Sequence, residues 1–166
     1  MIIFYVISII LIAADQMFKL AIDSTLIYEN GRGINVIDGF FQIVNVRNPG
    51  AAWGLFSNGT LILSIISSVA VIAVIILISR CESTFLKATM SILLAGAVGN
   101  LIDRIRLKYV IDFLSFNIFG YDFPVFNLAD MCVVCGSIML FVYVLFLHKD
   151  GQKIFRAWDL KCIKMK

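Results

Sequence analysis

The sequence predicts an all-α membrane protein: four transmembrane helices with a small extracytoplasmic β-sheet platform. Three observations carry that prediction. Of the 166 residues, 61% are hydrophobic and only 15% charged, with a mean hydropathy of +0.97, against roughly 45–50% apolar and 25% charged in soluble domains. The apolar residues collect in four runs, at about 1–22, 60–78, 85–102 and 125–147, each close to the ~20 residues that cross a hydrocarbon layer at about 1.5 Å per residue. Between the first two runs, Gln42-Ile43-Val44-Asn45-Val46-Arg47 alternates instead, which is the period of a half-buried strand. Only helices and closed barrels satisfy the backbone in lipid, and runs this long exceed barrel strands of about 10 residues. With no internal repeat or low-complexity tract, residues 1–166 read as one membrane domain.

The first span, 1–22, is interrupted by Asp15, Gln16 and Lys19 near its end. A cleaved signal peptide ending at Ala13-Ala14 is the competing reading. It lacks a basic n-region, and Met17, Phe18, Leu20, Ala21 and Ile22 continue the apolar run past the supposed cut. Residues 23–57 form the β region, its strands bounded by Gly39 and by Asn48-Pro49-Gly50. The second span is the most apolar: after Thr60 only Ser64, Ser67 and Ser68 are polar. Ser57-Asn58-Gly59 offers N-cap chemistry before it, and Arg80 a headgroup anchor after it. Between spans three and four lie some 22 residues that contain Asp112 and an aromatic stretch, 113–126. That segment reads as a loop resting on the membrane surface, either a lid or an anchor.

Orientation follows from basic residues. The tail 148–166 holds Lys149, Lys153, Arg156, Lys161, Lys164 and Lys166, and the loop between spans two and three holds Arg80 with Lys87 close by. Both are expected in the cytoplasm, which with four spans also puts the N-terminus inside. On this topology Asp15 and Lys19, Arg47 and Asn48, Asn100, Asp103 and Arg104, and Asn127 and Asp130 all reach the extracytoplasmic face. Asp15 and Lys19 are four apart, Asn100 lies three from Asp103 and four from Arg104, and Asn127 three from Asp130, so each group shares a helix face. Taken singly, Lys19 or Asn127 reads as an interfacial anchor or helix cap. The whole set does not, because anchoring does not call for four Asp residues near one membrane face.

Asp112 and Asp130 stand out within that set. Each is surrounded by residues suited to lipid, where an ionised side chain costs about 2.5–3.5 kcal/mol on the mildest scale. Two carboxyls meeting in a pocket of low dielectric share one proton, so one acts as base and the other as acid. Other chemistries find few residues. Cys132 and Cys135 form C-x-x-C inside span four without a second ligand pair, and His148, the only histidine, lies at the opposite end; packing is the better reading. Cys81 and Cys162 are expected as reduced cytoplasmic thiols. No phosphate loop, Ser/His/Asp set or H-E-x-x-H occurs. No metal or cofactor is expected, and nucleic acid is not an expected partner.

Five blocks occur in order: Asp15-Gln16-Met17-Phe18-Lys19, Arg47-Asn48-Pro49-Gly50-Ala51-Ala52-Trp53, Gly99-Asn100-Leu101-Ile102-Asp103-Arg104, Val110-Ile111-Asp112-Phe113 and Phe126-Asn127-Leu128-Ala129-Asp130. Together they resemble the bacterial lipoprotein signal peptidases, or signal peptidase II, over nearly the whole chain. The resemblance implies an aspartic endopeptidase of the bacterial inner membrane. Such an enzyme removes the signal peptide of prolipoproteins just before a diacylglyceryl-modified cysteine. It implies Asp112 and Asp130 as the catalytic pair, supported by Asp15, Lys19, Asn48, Gly50, Asn100, Asp103, Arg104, Asn127 and Ala129. Pro49 and Trp53 fall where the family varies, and Met131 and Cys132 stand where similar sequences often have Ser. Asn48 and Arg104 are the candidate oxyanion donors, with pairing to Asp103 or Asp15 an equal reading for Arg104. The expected partners are diacylglyceryl-modified prolipoproteins and membrane lipid, with the enzyme working as a monomer. A small proton or cation transporter or channel subunit is the alternative, with Asp15, Asp103, Asp112 and Asp130 as relay, although such a path wants polar groups at several depths. A non-catalytic scaffold is a third reading, from the small residues Ala95-Gly96-Ala97-Val98-Gly99.

Overall fold

A computed structural model describes residues 1–26, 33–50 and 59–146. In order, its elements are α1 (Ile2–Thr25), β1 (Ile34–Ile37), β2 (Phe41–Asn48), α2 (Thr60–Arg80), α3 (Thr84–Leu107), β3 (Val110–Ile118), β4 (Tyr121–Asp122) and α4 (Leu128–Phe146). All four helices are long and apolar enough to cross a membrane. Trp53, Ser57, Asn58, His148, Cys162 and the basic tail lie outside the described residues.

The helices pack around α3, which touches each of the other three. Its central position explains why half of its most apolar window is buried while α2 buries little beyond Ile78. Small residues make the approach to α4 close: a Cβ on Gly96 would strike the Ala129 carbonyl oxygen and stand 2.9 Å from Val133 N, and one on Gly136 would sit 2.6 Å from Leu93 Cγ. The stripe 95–99 therefore serves helix packing, as its composition suggests. Ser8 adds a bond between helices, donating to the Ser91 carbonyl at 2.8 Å. At the end of the bundle where α2 meets α3, Ile78, Cys81, Leu86, Met90, Leu94 and Tyr143 form a buried apolar cluster. Outward-facing residues such as Leu61 and Ile72 on α2, and Ile9 and Ile10 on α1, are exposed apolar groups, as surfaces that face lipid require.

The sheet departs from expectation. Its four strands run antiparallel in the order β1-β2-β3-β4, so half of it comes from residues 110–122 and not from the 23–57 region alone. The segment after α3, expected as a loop, is strand. Its first four residues are buried on both faces, and a strand covered on both sides shows no alternation to read. A bulge displaces β2 between Ile43, opposite Leu114, and Val46, opposite Asp112, so the register changes just where Asp112 is presented.

Helix ends also differ by a few residues. α1 runs on to Thr25, and α3 to Leu107, where Lys108 at φ 69° closes it. α4 starts at Leu128 because Asn127 caps it. Gly59 is the N-cap of α2 and brings no side-chain bond. Thr60 Oγ1 instead reaches the Pro49 and Lys108 carbonyls at 2.7 and 3.0 Å, tying the start of α2 to the strand and helix ends beside it.

Candidate active site

Five elements deliver polar side chains to one end of the bundle: the second halves of α1 and α3, the first turn of α4, and the strands β2 and β3. Asp112 belongs to strand β3, not to a span, and is 2% exposed. Asp130 occupies the first turn of α4. One residue touches both. Asn127 Nδ2 donates to Asp112 Oδ1 at 2.6 Å, while the Asn127 backbone N–H donates to Asp130 Oδ2 at 3.1 Å.

Each carboxylate has a second donor. Asn48, at the end of β2, donates from Nδ2 to Asp112 Oδ2 at 2.9 Å, and its Oδ1 accepts the Gly50 backbone N–H at 3.0 Å. Asn100 donates from Nδ2 to Asp130 Oδ1 at 2.8 Å. Both carboxylates are thus held by amide donors, the pairing that a buried carboxylate requires. Burial lifts the Asp112 carboxyl to about 7 from an ordinary 3.8, and the neighbouring Asp130 charge adds to the rise. The bonds from Asn48 and Asn127 and the Lys19 charge work against it.

Behind this layer lies an ion cluster. Lys19, 1% exposed, sits 2.9 Å from Asp15 Oδ2 and 2.9 Å from Asp103 Oδ2, and donates to Asn100 Oδ1 at 3.1 Å. The two carboxylates reach onward to backbone. Asp15 Oδ1 accepts Ala129 N–H at 2.9 Å and Asp103 Oδ2 accepts Ile111 N–H at 3.2 Å. α1 thereby grips the start of α4, and α3 grips β3 one residue before Asp112. Breaking one member of such a buried pair typically costs about 3–5 kcal/mol, because the other charge is left uncompensated.

Every site residue named from sequence lies in or beside this constellation, and for three of them the geometry chooses between readings left open by the sequence. Lys19 is not an interfacial anchor, since all of its hydrogens point inward to oxygens. Asn127 is a cap, as one reading had it, but also the bridge between the two aspartates. Arg104 pairs with neither Asp103 nor Asp15, because Lys19 occupies both. Arg104 instead lies within the electrostatic reach of Asp130, Asp112 and Asp103, with its buried Nε unpartnered among the described residues.

Sequence reasoning misses the role of Gln16. Its Nε2 donates to Asp103 Oδ1 at 3.0 Å and to the Gly99 carbonyl at 3.2 Å. Its place three before Lys19 on the same face is the available signal. Cys132 is buried and Cys135 exposed, both as free thiols.

The arrangement can hold a water or peptide carbonyl against two carboxyls with a guanidinium nearby. Comparison with known proteins places the chain in a family. Residues 7–146 match the family model described as signal peptidase (SPase) II. A lipoprotein signal peptidase of Clostridium acetobutylicum is 41% identical over 123 residues, covering 72% of this chain and 79% of its own. One from Staphylococcus aureus is 38% identical over 141 residues, covering 84% and 85%. A solved bacterial membrane enzyme, determined by the in meso method at 2.3 Å, superposes with a TM-score of 0.79 at 36% identity, over 89% of this chain and 88% of that one. A second, at 1.9 Å, gives 0.76 at the same 36% identity, over 85% and 91%. None of these relatives supports the transporter or channel reading.

Proposed function

The chain belongs to the signal peptidase II family, and on that premise we propose that it is an aspartic endopeptidase whose dyad is Asp112 and Asp130. Its function is that of a lipoprotein signal peptidase, a membrane enzyme acting on prolipoproteins. The observation that carries the aspartic reading is the shared residue Asn127, which bonds one oxygen of each carboxyl.

Peptide hydrolysis without a metal or covalent nucleophile needs water to lose a proton while the leaving nitrogen gains one. Two carboxyls beside one another divide a single proton, and the pair titrates as a unit. One member of the pair keeps that proton and the other accepts one from the attacking water; when the C–N bond breaks, the protonated member passes its proton to the departing amine. Arg104, with spare donor capacity, is better placed for the oxyanion than Asn48, whose amide is engaged on Asp112. Removing one such donor costs about 10²–10³ in rate.

The substrate is a prolipoprotein whose cysteine carries diacylglycerol, cut just before that cysteine. A site assembled from helix ends, with exposed apolar helix faces on either side, suits a substrate whose lipid stays in the bilayer. Basic residues at 80, 87 and in the tail support cytoplasmic termini and a site facing outward in the bacterial inner membrane. The chain's own elements supply every member of the constellation, in keeping with a monomer.

The test is gel-shift cleavage of a diacylglyceryl-modified precursor by the membrane-inserted protein. Asp112→Asn and Asp130→Asn each lower the rate by about 10²–10⁴-fold, the usual worth of a general acid or base. Full processing by either variant removes that residue from the dyad.

A further inference from the structure

We infer that Lys19 is a positioning residue that sets the polarity of the Asn100 side chain, so that Asn100 turns its N–H, and not its carbonyl oxygen, toward Asp130. This rests on the reading of Asp112 and Asp130 as the dyad.

An asparagine amide is nearly isosteric under a half turn, so its neighbours decide which end faces which way. A carboxylate that must act as a base is served by a donor and repelled by an oxygen. Each asparagine at the site has a group behind it that only donates. Behind Asn48 it is the Gly50 backbone N–H, and behind Asn127 the Asp130 backbone N–H, at 3.0 and 2.9 Å from the respective Oδ1. Behind Asn100 it is the Lys19 ammonium, 3.1 Å from Oδ1. The amide nitrogens consequently face Asp112 Oδ2, Asp112 Oδ1 and Asp130 Oδ1. Two of these selectors are backbone and fixed. Lys19 is the one built from a side chain.

The fit at Lys19 is stoichiometric. An ammonium has three hydrogens, and its three oxygen neighbours are Asp15 Oδ2, Asp103 Oδ2 and Asn100 Oδ1. Asn127 Nδ2 also reaches Asn100 Oδ1, at 3.1 Å, but it is shared with Asp112 Oδ1 at 2.6 Å and the Ile111 carbonyl at 3.3 Å. Its two hydrogens cannot hold Asn100 as firmly.

The experiment is a mutant cycle on the full-length enzyme in proteoliposomes, with a diacylglyceryl-modified precursor as substrate and Tm recorded for every variant. K19Q/D103N removes one charge of each sign and replaces the ammonium by a group that does not dictate amide polarity. We expect kcat to fall about 100-fold, as misplacement near a reacting group does, with KM within about twofold. Adding N100A to that variant costs clearly less than N100A alone does in the wild type, since the orientation it destroys is already weakened. Multiplying losses, or unchanged kcat in K19Q/D103N, overturns the inference.

N100D supplies an independent arm if the charge-paired variant does not insert. It keeps an oxygen for Lys19 and turns a second oxygen toward Asp130, so kcat falls about 100-fold, with Tm lowered by the like charges brought together. Wild-type kcat in N100D overturns the inference. Wild-type cleavage by D130N would instead sink the dyad itself, so the two failures are told apart.

Discussion

Asn127 and Asp130 hold each other by reciprocal bonds: Asn127 Oδ1 accepts the Asp130 backbone N–H at 2.9 Å, and Asp130 Oδ2 accepts the Asn127 backbone N–H at 3.1 Å. This is the geometry of a capping box, with Asn127 as N-cap and Asp130 three residues on. The device that starts α4 therefore also fixes the Asp130 carboxylate. Because the Asn127 oxygen is committed to the cap, its nitrogen is left to reach Asp112 across the site.

The cap and the donor can be separated. Asn127→Ala loses both, while Asn127→Ser keeps an oxygen for the cap and drops the amide nitrogen. The Ala variant is expected to lose about 1 kcal/mol of stability from the cap alone, and the Ser variant only a fraction of that. Both should cleave about 100-fold more slowly, since Asp112 loses its closest donor. Thermal unfolding in detergent and cleavage rates of the two variants check this. Wild-type turnover in Asn127→Ser would reduce Asn127 to a cap.

Activity and stability should both respond to pH through Asp112, whose carboxyl lies near 7 against an ordinary 3.8. In kcat/KM, the rate is expected to fall about tenfold per unit above roughly pH 7, as the proton held by the pair is lost. For stability, the native state binds this proton more tightly than the unfolded chain. The contribution is fully present below about 3.8 and disappears as pH rises through about 7. Asp112→Asn removes that dependence, so its Tm relative to the parent rises between pH 4 and pH 8. A constant Tm difference over this range would refute the assignment.

Gly99 and Gly96 test how tightly the site depends on the helix seam. A Cβ on Gly99 would stand 2.8 Å from Asp15 Oδ2 and 3.0 Å from Ala129 Cβ, and one on Gly96 would collide with the Ala129 carbonyl oxygen. Gly99→Ala and Gly96→Ala should each cost about 1–3 kcal/mol through overpacking. Both should slow cleavage, since the start of α4 carries Asp130. Gly39→Ala, strained at φ +71° but with nothing within 4 Å of its Cβ, should lower stability without slowing cleavage. Equal kcat in all three would disconnect the seam from the chemistry.

Much of this was legible in the chain, for physical reasons that also explain the rest. Membrane helices announce themselves because lipid demands long apolar runs, and the costly polar residues at their ends gather as the topology predicts. Strand β2 was readable from its sequence pattern, but the face that pattern implies was not, because Asn45 is the buried residue and Val46 is exposed. Strand β3 was not, because burial on both faces erases alternation, and its Asp112 looked like a residue in an apolar loop. Lys19 misled when taken alone, since a lysine near a helix end is usually a headgroup anchor. Only the three-dimensional approach of Asp15, Asp103 and Asn100 turns it inward. Of the two readings open for Arg104, the ion pair fails for the same reason, as Lys19 takes both acids.

The turn joining β3 to β4 carries the last prediction. Phe119 and Gly120 both have positive φ, 52° and 86°, the backbone of a type I′ turn that favours Asn-Gly. Phe119 is instead an aromatic residue at the first position, and it is fully exposed. Beside it stands the β1–β2 hairpin, joined by the Asn117 N–H donating to the Phe40 carbonyl at 2.9 Å and by Phe40 against Phe116 at 5.5 Å. Ile37, Phe40, Ile118 and Tyr121 are exposed around it. A strained, solvent-facing aromatic at such a tip is unfavourable in water and favourable at the headgroup level, where aromatic side chains anchor. The tip is therefore expected to rest in the bilayer surface, holding the sheet beside the lipid from which substrate arrives. Phe119→Trp, made with Trp53 and Trp158 replaced by Phe, should be strongly quenched by brominated lipid in proteoliposomes. Phe119→Asp should lower kcat/KM about tenfold, equivalent to ~1.5 kcal/mol of lost apolar burial. Unquenched indole fluorescence from the Phe119→Trp variant would place the tip in water and leave the turn's composition without this purpose.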